Sequence, residues 1–476
     1  MDTHLCDELL EEIFRRLSPP SSAAVSLVSK RCRRLLRSST TSLSLNFPPP
    51  YNPTTIKSLS TFLSHHPYLS SISLTGGADP LLLAVTDSCP NLRHLRHPGD
   101  PVSPFSLYTL SASCLHLTSI SVSLSRPLSF HWLPCFNLLK RLSLSFTGPS
   151  IEDNNLEIEE NRDVSDLELN LESLSLRGIS AGDSALSFLW RNCRNVKNLQ
   201  LKSCDSVGDY PSFSKFLKFW NNLEEVELRT SRSIVDLVLL KLAADCLSLQ
   251  SLLVHDGGNK EGLLHFINHT KSSFKKIDLR LPLDLENAHL IALSQNPNLK
   301  NLKILRLESC CLVTGEGLKA AVGEAMEELA LINCDVVERE AGLLAALGQK
   351  LGNLRGLDLS HNEMMVGKDL VSMVVSCGGL EEVRLRGCGR LSDAAVIAIV
   401  RSCRNLERVD VSRCGGIGGE GVEALVVKAA ALRRVAVEET KLTPLAKTAA
   451  ARKWGTHSMP GRGVEPKARD EMVHRR

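Results

Sequence analysis

From Leu69 to about residue 437 the chain repeats one short phrase fifteen times, L-x-x-L-x-L, with Val, Ile, Phe or Met in place of some leucines. The lead residues are Leu69, Leu92, Leu117, Leu139, Leu171, Val196, Leu223, Leu249, Phe274, Leu302, Met326, Leu354, Leu380, Leu406 and Leu432. They span 363 residues in fourteen steps, about 26 per step. Within each copy the lead and the third and fifth residues after it alternate with polar neighbours, the period-two pattern of a short strand with one buried face. The return segment reads as helix, as in 236–242 and 393–400. No unit of this size can bury its apolar face alone, so the units must stack, each supplying one parallel strand. The expected fold class is α/β, a solenoid.

Composition narrows the function classes. Aromatic residues make up only 4% of the 476, so small aliphatic side chains must do most of the packing. A formal charge of +3 gives no global pull toward nucleic acid or membrane, and neither is expected as a partner. The opening MDTHLCDELLEEIFRRL places acids where a secretion signal needs bases, and the apolar runs fall short of the roughly 20 residues that cross a bilayer. A soluble protein of the nucleus or cytoplasm, not secreted, is expected. Fifteen cysteines without a C-x-x-C pair then read as reduced thiols, with no metal site expected. Cys89, Cys114, Cys193, Cys246, Cys377 and Cys403 each stand three residues before a lead, and Cys204, Cys310, Cys334, Cys388 and Cys414 each eight after. Asn362 shares the later slot. A small side chain filling a tight interior turn accounts for both slots.

This spacing, with its two accessory slots, resembles the cysteine-containing subclass of leucine-rich repeats, in a plant-like form commonly joined to an F-box. The resemblance implies a horseshoe with parallel strands on the concave face and helices outside, over residues 69–439 in about fifteen repeats. Thr40–Leu45 reads as a degenerate first strand, and 40–68 as a degenerate repeat with a proline-rich connection. Ahead of it, Leu9, Leu10, Ile13, Phe14 and Leu17 form an apolar face on a helix that Ser18-Pro19-Pro20 ends, and Ser29 is placed to cap a second basic helix from Lys30. L-x-D-E-L-L-x-x-I-F-x-x-L followed by V-S-L-V-S-K-R-C-R-R-L resembles the F-box, a small all-α module of three helices, here 1–39, that docks on the Skp1 adaptor. Cys6, Ser22 and Cys32 depart from that pattern, where the family favours Pro, Leu and Trp. The resemblance assigns Leu5, Leu9, Ile13, Leu17, Val25 and Val28 as adaptor-facing or supporting residues. It further implies a non-catalytic subunit of a cullin-type ubiquitin ligase whose repeats hold a target protein of unknown identity. The competing reading is an interaction scaffold in which these helices only cap the repeats.

The sixth residue after the lead, facing solvent, is Arg177, Lys202, Arg229, His255 and Arg280 in five consecutive repeats. Glu225, Glu227 and Asp278 could neutralise this row from within, or an acidic target could answer it. The resemblance to plant hormone receptors adds a small molecule or inositol polyphosphate as a candidate ligand, with no other cofactor expected. Between Leu139 and Leu171 an acidic insertion, Glu152 to Glu168, lengthens one step to 32 residues. Gly416, Gly418 and Gly421 imitate a dinucleotide fingerprint, but the 26-residue spacing continues through them and they read as turn residues. Residues 440–476 lose the repeat and are expected to form a short cap and a disordered tail.

Overall fold

The computed structural model describes residues 5–17, 19–48, 52–77, 79–149, 168–217, 222–282 and 284–454. The acidic insertion up to residue 167 and the tail beyond Trp454 lie outside the described residues. Three helices open the chain: α1 (Asp7–Arg15), α2 (Pro19–Ser26) and α3 (Lys30–Ser39). Sixteen parallel strands then follow one another in chain order, with helices on the outside of the sheet. The chain divides into two compact units, Met1–Ile234 and Val235–Arg476.

The first unit holds β1 (Ser42–Asn46), β2 (Ser71–Thr75), β3 (His94–His97), β4 (Ser119–Ser125), β5 (Arg141–Thr147), β6 (Ser173–Arg177), β7 (Asn198–Lys202) and β8 (Glu225–Arg229). The second holds β9 (Ser251–His255), β10 (Lys276–Arg280), β11 (Ile304–Glu308), β12 (Glu328–Ile332), β13 (Gly356–Asp358), β14 (Glu382–Arg384), β15 (Arg408–Asp410) and β16 (Arg434–Ala436). Register follows the repeat: Leu174 pairs with Leu199 and Leu199 with Val226, so like positions form columns. A slip of one residue would turn every buried column to solvent, which is why the alternation holds the register. All fifteen leads are buried. The degenerate strand is β1, displaced two residues from the predicted start and only half-buried at Leu43 and Leu45, as befits the end of a stack.

The two recurrent slots have a common physical cause. All eleven slot cysteines are buried. In the later slot the thiols of Cys334, Cys388 and Cys414 donate to carbonyls of the preceding repeat, at Leu307 (3.6 Å), Leu359 (3.2 Å) and Leu385 (2.9 Å). Asn362 does the same work with an amide: its Nδ2 donates to Leu331 and Leu359 oxygens, both at 2.8 Å, and its Oδ1 accepts the Cys334 N–H at 2.9 Å. The slot satisfies backbone groups that a turn between stacked repeats would otherwise bury without partners.

One residue earlier the backbone turns a left-handed corner in repeat after repeat: Gly178, Ser203, Thr230, Asp256, Leu281, Ser309, Asn333, His361, Gly387 and Arg413 all have positive φ. Most are not glycine, although side chains disfavour this region. The corner is held because its N–H reaches the next strand: Ser203 N donates to the Arg229 oxygen at 2.8 Å and Leu281 N to the Glu308 oxygen at 2.9 Å.

The flanks of the acidic insertion are tied by Arg126, just past β4. Its Nε and Nη2 donate to Asp183 at 2.6 and 2.8 Å, Nη1 to the Gly148 oxygen at 2.9 Å, and Nη2 to the Gly178 oxygen at 2.7 Å and Ser180 Oγ at 3.1 Å. Gly148 follows β5 and Gly178 follows β6, so one guanidinium joins the ends of both strands that bracket the insertion. At the C-terminus, helix Pro444–Trp454 packs on helix Gly419–Lys428 and closes the second unit.

Candidate functional site

The apolar face predicted for the first helix is divided in two. Leu10 and Phe14 turn inward and meet Cys32, Leu35 and Leu36 of α3, with Leu5, Leu17 and Val25 packed half-buried against that cluster. Leu9 and Ile13 point out, 54% and 46% exposed, and Leu27 and Val28 between α2 and α3 are 78% and 72% exposed. The candidate adaptor residues thus sort into Leu5, Leu17 and Val25, which build the module, and Leu9, Ile13 and Val28, which face solvent. Leu27, not singled out in the sequence, joins the outer set. The reason is α3: it covers only the strip of α1 that carries Leu10 and Phe14, and the adjacent strip stays bare. Asp7 fixes the crossing by accepting from Arg31 at 2.6 Å and Arg34 at 3.2 Å, while Arg31 also donates to the Leu5 oxygen at 2.9 Å. Ser29 caps α3 by accepting the Cys32 N–H at 3.0 Å.

On the solvent side of the strands, the five basic residues at the sixth position do not share one environment. In the first unit Arg177, Lys202 and Arg229 stand in register on β6, β7 and β8. Arg229 is engaged by Glu227 at 3.0 Å, and Glu227 also accepts from Gln200 at 2.7 Å. Arg177 and Lys202 have no ion-pair partner among the described residues. In the second unit His255 and Arg280 are in register on β9 and β10. Arg280 makes a two-pronged pair with the buried Asp278, at 2.9 and 3.0 Å. Arg306, Glu308 and Asp358 extend that pairing at 3.5 to 3.8 Å, and Arg384, Glu382 and Arg408 continue charge matching on β14 and β15. The second unit therefore answers Arg280, Arg306, Arg384 and Arg408 from within.

Two sequence patterns find known families. The F-box domain matches residues 3–41, and the leucine-rich repeat matches residues 298–320 and 402–426. An F-box heads an array of leucine-rich repeats. Among solved structures, the chain is similar to one in the crystal structure of the yeast Rad7 and Elc1 complex, at 16% identity over 92% of this chain and 91% of that one, with a TM-score of 0.50. An internalin from Listeria monocytogenes aligns at 13% identity over 90% of this chain and 93% of that one, with a TM-score of 0.31.

Within the F-box, the departures at Cys6 and Cys32 have separate settings. Cys6 is exposed ahead of α1, whereas Cys32 fills the small core against Leu10 and Phe14. Within the repeats, burial pushes the thiols of Cys89 and Cys377 up to about 11 and those of Cys193 and Cys403 up to about 12, so they stay protonated and unreactive. Glycines 416, 418 and 421 press on the repeat before them: a Cβ on Gly416 would lie 2.5 Å from the Leu391 oxygen, and Gly418 N donates to Asp393 at 2.6 Å. These contacts explain the glycines without a phosphate. No helix among the described residues is long and apolar enough to cross a membrane.

Proposed function

We propose that this protein is a non-catalytic substrate receptor of a Skp1–cullin–F-box ubiquitin ligase, in which the F-box holds a Skp1-type adaptor, cullin is recruited through it, and the repeats present a target protein. The observation that carries the reading is that a three-helix module whose own core is already filled leaves four large apolar side chains, Leu9, Ile13, Leu27 and Val28, exposed. Apolar surface of this kind costs solubility unless another protein covers it. A cap needed only to close the solenoid would turn its apolar residues toward the first repeat. The similarity in fold to a chain crystallised with Elc1 is in keeping with a partner-bound role. The basic row from Arg177 to Arg280 offers a polyphosphate less than its sequence suggests, because Arg229 and Arg280 are already held by Glu227 and Asp278.

The test is co-purification with Skp1. Leu9→Glu with Ile13→Glu should abolish capture while leaving the thermal transition unchanged, and Lys215→Gln, on a repeat helix, should have no effect. If the intact chain captures no adaptor, or if the double variant captures it normally, the receptor reading fails and the scaffold reading takes its place.

A further inference from the structure

The strand faces of the two units differ in a way that points to what the first one holds. Strands β1 to β7 carry no carboxylate at any solvent-facing position. What they carry is hydroxyl: Ser44, Ser73, Ser121, Ser143 and Ser175 stand in one column, interrupted only by Arg96 on β3. Set into this neutral surface are four cations, Arg96, Arg141, Arg177 and Lys202, none of which has an ion-pair partner among the described residues. Arg141 lies 3.5 Å from the ring nitrogen of His94, and its nearest carboxylate influence comes from Glu172, which is itself bound to Lys140 at 2.7 Å. The face ends at β8, where Glu225 and Glu227 appear.

We infer that this face is the docking surface for an extended acidic segment of the target protein, its carboxylates taken one by one by Arg96, Arg141, Arg177 and Lys202. The inference rests on the receptor reading and names the chemistry of its target. The cations are dispersed across five strands, β3 to β7, which at about 4.8 Å per strand is about 19 Å, the reach of roughly six extended residues. A phosphate group is best met by several cations converging on it, whereas an arginine fork matches a single carboxylate. Here only Arg177 and Lys202 are immediate neighbours. Ser44, Ser73, Ser121 and Ser143 add hydroxyl donors without adding charge, while the Ser175 hydroxyl already donates to Gln200 at 2.7 Å and the nearest carboxylate, Glu172, is held by Lys140.

The test uses the full chain and four fluorescent or competing probes: an octapeptide of alternating Glu and Asp, its Gln/Asn counterpart, the same neutral peptide carrying one phosphoserine, and inositol hexakisphosphate. Saturable binding of the acidic peptide is expected, at least tenfold tighter than the neutral one and weakening as salt is raised. The variant Arg96→Gln/Arg141→Gln/Lys202→Gln should weaken it at least tenfold, with Lys215→Gln unchanged. Adaptor capture by the triple variant is measured in parallel; it reports on the receptor reading separately, and normal capture also shows that the variant is folded. Equal binding of acidic and neutral peptides, or loss of less than twofold in a folded triple variant, overturns the inference. So does tighter binding of the phosphopeptide or the polyphosphate than of the acidic peptide, because convergence of charge would then be the rule.

Discussion

Replacing Arg126 by methionine keeps the length of the side chain and removes a guanidinium that makes five hydrogen bonds. The side chains of Arg126 and Asp183 are 7% and 3% exposed, so water screens the pair little and cannot replace it. After the change Asp183 keeps the Ser180 N–H at 2.8 Å and has lost its counter-charge. Breaking a buried pair from one side costs about 3–5 kcal/mol. At 1.4 kcal/mol per factor of ten, that is a loss of amide protection of roughly a hundred- to a few-thousand-fold in β5 and β6, whose ends the residue joins. Hydrogen exchange read strand by strand is the suitable assay, because a repeat array need not unfold as a single unit. The double change Arg126→Met with Asp183→Leu should recover a substantial part of the loss, since no charge is left stranded. If the single variant loses less than threefold protection, or if the double variant is no better protected than the single, the reasoning about this clamp is refuted.

Asn362→Ala should destabilise the second unit by about 2 kcal/mol, because the Leu331 oxygen and the Cys334 N–H lose their side-chain partner and the Leu359 oxygen keeps only the Cys388 thiol, while Asn362→Cys should cost less than Ala because Cys388 fills the same slot; denaturant midpoints rank the three proteins, and equal midpoints would contradict the slot argument. His97→Leu should stabilise by about 1 kcal/mol, seen as a higher melting temperature, since His97 is fully buried and neither ring nitrogen has a partner in the described structure. Native-state alkylation near neutral pH should label Cys6, Cys135 and Cys311 quickly and leave the eleven slot cysteines unmodified until the protein unfolds; rapid labelling of Cys193 or Cys403 by mass spectrometry would show that the interior is open.

The repeat was legible because its period is written in leads such as Leu171, Val196 and Leu223, and columns form automatically once the period is shared. Contacts between columns were less legible. The row from Arg177 to Arg280 is visible at one repeat position, but Arg96 and Arg141 stand at other positions and join the same face only when strands are laid side by side. Arg126 and Asp183 are 57 residues apart with the insertion between them, and no local pattern links them. Leu9 and Leu10 are adjacent and equally apolar; only the path of α3 decides which one is covered. His97 sits where the apolar column calls for leucine, five residues after the lead Leu92, so its departure is written in the sequence itself.

The left-handed corners carry a consequence for how such a chain can change. A corner that demanded glycine would fix one residue type in every repeat. Here Ser203 and Thr230 in one unit, and Leu281, Asn333, His361 and Arg413 in the other, take the same backbone conformation, and all are exposed. A hydrogen bond to the neighbouring strand holds each corner for which one is resolved, as at Ser203 and Leu281, so the path of the chain does not depend on the side chain that hangs from it. Each unit therefore carries a column of positions beside its strand face that mutation can rewrite freely, at a strain of about 1 kcal/mol apiece, so that new surface chemistry can be tried without redesigning the scaffold.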